Sequence, residues 1–82
     1  MKDLLKFQAS WCGPCKSLSK VMEGVDLGVR VKEIDIDEDT AMTVKYQIRN
    51  VPTLVLLDEN GKETKRMSGA KSLNDLKTWL ES

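Results

Sequence analysis

Ala9-Ser10-Trp11-Cys12-Gly13-Pro14-Cys15-Lys16 is the stretch on which the reading of this chain turns. It holds both cysteines of the sequence, three positions apart, between a strand-like and a helix-like segment. Upstream, Leu4 to Ala9 places Leu5, Phe7 and Ala9 on one face, the period-two pattern of a strand. Downstream, Cys15, Leu18, Val21, Met22 and Val25 recur at helical spacing and predict one buried stripe, with Gly24 and Gly28 bracketing the helix end. Pro14 suits a first helical turn, where its missing N–H would have had no partner. The expected local order is strand, tight turn, helix, with Cys12 at the helix amino terminus.

A bridge between such close residues closes a tiny loop, so it constrains the unfolded chain far less than a long-range one. As a structural staple it makes little sense. A zinc site needs two more Cys or His ligands; the chain has no third cysteine and no histidine, so metal would require two chains to share a site. In a reducing compartment the pair reads as catalytic or metal-binding, and the shortage of ligands favours catalysis. Thiol exchange proceeds through the thiolate, so the pKa must fall from ~8.5 toward neutrality. The positive end of a helix dipole and its unpaired N–H groups favour the anion at Cys12. Cys15, one turn inward, is expected to be the more buried sulfur. Cys12 is therefore assigned the attack and Cys15 the resolution of the mixed disulfide. Pro14 stiffens the Gly13-Pro14 turn. Trp11, next to the nucleophile, is read as a flat surface for partner contact rather than as core.

Working outward, Val29 to Ile36 reads as a second strand with both faces partly covered, because its apolar residues change parity midway. Asp37 to Asp39 supplies a turn and a capping carboxylate for a short helix from Thr40 to about Tyr46. Thr53 to Leu57 is an apolar run expected of a central strand buried on both faces. Asp58-Glu59-Asn60-Gly61 is a hairpin turn, Lys62 to Ser68 a polar edge strand, and Ser72 with Asp75 a cap for a last helix that turns Leu73, Leu76, Trp79 and Leu80 to the core. The predicted order is βαβαββα: one α/β domain over residues 1–82, with a four-stranded mixed sheet and helices on both faces.

Lysine plus arginine equals aspartate plus glutamate at 13 each, which removes any electrostatic case for nucleic acid or an anionic membrane. No apolar run approaches the ~20 residues of a membrane-spanning helix. Met1-Lys2-Asp3-Leu4-Leu5-Lys6 is too short and polar for a secretory signal, so a cytoplasmic location is expected. Asp35, Asp37 and Asp39 have the opening rhythm of a calcium loop, but Thr40 and Tyr46 stand where glycine and glutamate are needed; a solvated turn is expected instead. Lys62, Lys65, Arg66 and Lys71 are read as a solvated basic face that discourages edge pairing. Met22, Met42 and Met67 are read as packing.

From Phe7 through Trp11-Cys12-Gly13-Pro14-Cys15-Lys16 to Val51-Pro52-Thr53 and Gly69, nearly the whole chain resembles the thioredoxin family. The resemblance implies a thioredoxin-like fold in which Pro52 follows a cis peptide bond and faces the sulfurs. It also implies that Val51 and Pro52 line a substrate groove, with the Val51 backbone pairing with an extended peptide. Gly69 would border that groove, where a side chain would obstruct the partner. Without the resemblance, Pro52 is only a proline at a strand start.

Two departures stand out. The chain lacks the strand and helix that begin typical thioredoxins, so it looks like a shortened, glutaredoxin-sized member whose second strand has an exposed edge. In addition, Lys6 stands where the family usually has a buried aspartate, Glu33 where it has a nearby lysine, and Gln8 where a tryptophan is common. Two arrangements fit. Lys6 and Glu33 form a reversed ion pair beneath the cysteines, with Glu33 taking over proton transfer for Cys15. Alternatively, both side chains snorkel to solvent.

The resemblance implies a thiol–disulfide oxidoreductase that reduces protein disulfides, cycling between a dithiol and a redox-active Cys12–Cys15 disulfide. It implies no bound cofactor, a monomer, and an NADPH-dependent thioredoxin reductase as electron donor. One alternative is a glutathione-linked, glutaredoxin-like enzyme, favoured by the short architecture and disfavoured by Gly13-Pro14 between the cysteines. Another is a non-catalytic docking subunit with this fold.

Overall fold

The computed structural model describes residues 2–82. Its elements are β1 (Asp3–Gln8), α1 (Gly13–Met22), β2 (Arg30–Asp35), α2 (Thr40–Lys45), β3 (Thr53–Leu57), β4 (Glu63–Ser68) and α3 (Leu73–Glu81). They make a thioredoxin-like fold whose sheet runs β2-β1-β3-β4. β1 and β2 are parallel, joined by the α1 crossover, while β1/β3 and β3/β4 are antiparallel. The sheet is mixed, as the sequence predicts.

The two inner strands are the two apolar ones. All five residues of β3 are buried, and so are Leu4 to Phe7 of β1. Alternation along these strands divides the core. Leu4, Leu54 and Leu56 meet Leu18 of α1 and Leu76 of α3 on one face. Leu5, Phe7, Val55 and Leu57 lie on the other face with Ile34, packed against Met42 of α2 and Tyr46. Helices therefore cover both faces. Met22 and Met67 pack on the first cluster and Met42 on the second, consistent with a packing role.

Three local expectations are revised. α1 stops at Met22, so Val25 lies beyond the helix; Gly24 at φ 70° turns the chain out. β2 is the edge strand that the resemblance implies, but with Arg30 to Glu33 exposed and only Ile34 buried it is not covered on both faces as its apolar residues suggest. Among the described residues it pairs only with β1, and its parity change buries Ile34 beside Phe7. The basic stretch is not merely solvated. Lys65 donates to the backbone carbonyls of Trp79 and Ser82 and lies 5.2 Å from the Trp79 ring centroid, closing the end of α3. Arg66 grips Glu63 with two hydrogen bonds of 2.7 and 2.8 Å. Among the described residues, no helix is long and apolar enough to cross a membrane.

Candidate active site

Cys12 is the N-cap of α1, in extended conformation, and its Sγ accepts a hydrogen bond from Cys15 N at 3.1 Å. Two backbone bonds hold the turn: Cys12 N to Ala9 O, which ties the cap to the end of β1, and Lys16 N to Cys12 O, the first bond of the helix. Pro14 sits in the opening helical positions, where no donor is required of it. Gly13 has open space around the position a Cβ would take. One sulfur thus sits where a helix presents free N–H groups, an arrangement that favours a thiolate.

Cys12 and Cys15 are joined in a disulfide, the oxidised state of the pair. In this form Cys12 is 5% exposed and Cys15 2%, so the expected contrast between an open and a buried sulfur is small. The bridge turns both sulfurs into a cluster with Ala9, against which Ile36 and Val51 pack.

The Val51-Pro52 peptide is cis. Val51 O lies 3.8 Å from Cys12 Sγ. Gly69 N donates to Pro52 O at 2.9 Å, and Thr53 Oγ1 donates to Asn50 O at 2.7 Å, so the loop before β3 is pinned from both sides. Gly69 has φ 89° and nothing within 4 Å of a Cβ position. The fold therefore gathers Cys12, Cys15, Val51, Pro52 and Gly69, far apart in sequence, at one end of the sheet. Glycine at 69 is favoured by its positive φ, not by crowding within the chain.

Trp11 is 67% exposed, and its Nε1 donates to Asp37 Oδ2 at 2.9 Å. Asp37 was expected only as part of a solvated turn. Its N–H is itself held by Asp35 Oδ1 at 2.8 Å, so the β2–α2 turn orients the indole.

The structure falls between the two arrangements expected for Lys6 and Glu33: the side chains pair, as in the first, but Glu33 stays largely in water, as in the second. Lys6 is 1% exposed, but the Glu33 side chain is 61% exposed and stands 4.0 Å away, a loose contact at the sheet edge rather than a buried pair. Lys6 and Glu33 are register partners in adjacent strands, and β2 has no outer neighbour among the described residues to cover Glu33. The ammonium is satisfied by two partners the sequence reading missed, Gln8 Oε1 and Ser19 Oγ. Gln8 Nε2 in turn donates to Glu33 Oε2 at 3.2 Å, bridging the two charges. Burial pushes the Lys6 pKa below the ordinary lysine value, while Glu33 pulls it back up. A cavity of about 510 Å³ opens beside this group between α1 and β2, lined by Lys6, Ser19, Met22, Val25, Val31 and Glu33. It opens at the sheet edge, and neither cysteine is among its lining residues.

A family model described as Thioredoxin matches residues 2–82. A thioredoxin of Chlamydia caviae is 37% identical over 76 residues, which cover 89% of this chain and 74% of that protein. A solved thioredoxin structure from Halobacterium salinarum superposes with a TM-score of 0.84 at 37% identity, covering 98% of this chain and 72% of the other. A bifunctional thioredoxin reductase/thioredoxin of Mycobacterium leprae is 36% identical over 72 residues, 83% of this chain but only 16% of that longer protein.

Proposed function

From the premise that the chain belongs to the thioredoxin family and is a thiol–disulfide oxidoreductase, we propose that it reduces protein disulfides, with Cys12 as nucleophile and Cys15 as resolving thiol. One observation carries the assignment of roles. The sulfur at the helix cap, Cys12 Sγ, accepts the Cys15 N–H, a bond that would favour its thiolate once the disulfide is reduced.

The cycle balances as follows. Both cysteines begin as thiols. Cys12 loses a proton, and its thiolate attacks one sulfur of the substrate, expelling the other as a thiolate. Cys15 then loses its proton and attacks Cys12 Sγ. The Cys12–Cys15 bond forms, and the second substrate sulfur leaves with the electron pair. The two protons given up by the protein end on the substrate thiols. The net result is one dithiol oxidised and one disulfide reduced.

Substrate binding in this reading uses the Val51 backbone as a strand-pairing edge, with Pro52 and Gly69 lining the groove and Trp11 as its flat wall. No bound cofactor takes part; the redox-active disulfide is the only electron carrier. An NADPH-dependent thioredoxin reductase regenerates the dithiol. The fused reductase and thioredoxin of the Mycobacterium leprae relative supports that partnership. The protein acts as a monomer in a reducing compartment, the cytoplasm.

The test is reduction of a disulfide-bonded protein with dithiothreitol as electron source. The wild-type chain is expected to accelerate it, Cys12→Ser to abolish the acceleration, and Cys15→Ser to accumulate a mixed disulfide. Equilibration in thiol/disulfide buffers is expected to give a potential near the roughly −270 mV of thioredoxin. A value above about −200 mV would replace the reductant reading with glutathione-linked or oxidative work.

A further inference from the structure

Lys6 is the one charged side chain fully buried among the described residues, and the exchange cycle above makes no use of it. Its ammonium lies against the inner side of α1. Ser19, whose Oγ accepts from Lys6 Nζ, follows Cys15 by four positions on that helix. Side chains at that spacing stack one turn apart, with about 6 Å between their Cβ atoms. The cation is thus tied to a residue one helical turn from Cys15, at a buried position where a charge acts more strongly than at the surface.

The groups around it leave that charge only lightly compensated. Gln8 Oε1 and Ser19 Oγ are neutral acceptors. Glu33 on β2 is mostly in water and 4.0 Å away. Lys20 of α1 and Glu23, just past its end, share the cavity wall and oppose each other in sign. On β3 the register partner is the apolar Leu54, and α3 adds Leu76 to the same core.

We propose, resting on the thiol–disulfide reading, that Lys6 is a positioning residue for the resolving step, its buried positive charge favouring the thiolate of Cys15. In that step the Cys15 thiol releases its proton to solvent, and its thiolate bonds to Cys12 Sγ. The bond from Cys12 to the substrate breaks, and the departing thiolate takes the electron pair and then a proton. The nearby cation lowers the cost of the first event and is unchanged at the end.

Cys12→Ser leaves Cys15 as the only thiol, so a pH titration followed by thiolate absorbance reads its ionisation alone. Adding Lys6→Met is expected to raise the apparent Cys15 pKa, lowering the thiolate fraction at a given pH about tenfold, the effect of a one-unit shift. Adding Glu33→Gln instead removes the opposing charge and is expected to shift the titration the other way. An unchanged or lowered Cys15 pKa in the Lys6→Met protein overturns the proposal. If circular dichroism shows that this protein does not fold, Glu33→Gln at its exposed position decides, and an unchanged or raised pKa overturns it. Failure of the oxidoreductase reading is a separate result: the wild-type protein then reduces no test disulfide, whatever Lys6 does to the titration.

Discussion

Trp11 Nε1 donates to Asp37 Oδ2 at 2.9 Å, so the exposed indole beside the cysteines is held by the turn between β2 and α2. A large aromatic at a surface binds well when it is rigid before the partner arrives.

Asp37→Ala frees the indole without touching either sulfur. Reduction of a protein disulfide is expected to lose about fivefold in kcat/KM, mainly through KM, the scale of one net hydrogen bond. Reaction with dithiothreitol, which needs no docking surface, is expected to stay unchanged. Steady-state kinetics with both substrates checks the split.

Lys6 is a charged group held in a site that resists charge. Its folded-state pKa lies below the ordinary 10.5, chiefly through burial and despite Glu33. The unfolded chain therefore binds more protons between the lowered value and 10.5, and stability is expected to rise with pH through that window. Below the window the full cost of burying the ammonium is present. Lys6→Met is expected to abolish the rise, and urea unfolding of the two proteins across the alkaline range measures it.

Asp58 organises the β3–β4 turn through Oδ1, which accepts from Asn60 N at 2.8 Å and Lys62 N at 3.0 Å. The Lys62 backbone bond is the main cause of its lowered pKa. A depressed carboxylate pKa contributes stability that is present above the unfolded value of 3.8 and lost as pH falls through the folded value. Asp58→Ala is expected to melt below the wild type at neutral pH. The gap is expected to close in acid, as thermal melts over pH would show.

Leu18 is completely buried where α1 meets Leu4, Leu54, Leu56 and Leu76. Leu18→Ala is expected to cost about 2–5 kcal/mol from lost transfer and a residual cavity. Against a total of about 5–15 kcal/mol, that threatens the fold and the helix that positions Cys12 and Cys15. Urea unfolding followed by circular dichroism reads the loss.

Local signals carried most of the fold. Leu4 to Ala9, the helical spacing after Cys15 and the apolar Thr53 to Leu57 run each state which face is buried, because side-chain period and burial are coupled within a single element. The cysteine pair was legible for a similar reason: its chemistry depends on a cap, a turn and a helix contiguous in sequence. Helix α1 ended early and β2 proved more exposed than expected, because an end depends on a glycine's backbone sign and an edge on which strands are neighbours.

The sequence by itself determined the βαβαββα order, the two-faced burial of β3 and the placement of Cys12 at the start of a helix. Only the tertiary structure decided what surrounds those cysteines. Asp37 met Trp11, and Gly69 met Pro52, through strand order and loop closure. The fate of Lys6 and Glu33 was also decided there. Periodicity places both on one face of the sheet, but it cannot say that β1 is interior and β2 is an edge. That single topological fact buries the lysine among Gln8 and Ser19 and leaves the glutamate in water. Pairing between distant segments is a property of the whole assembled sheet, and no window of local sequence contains it.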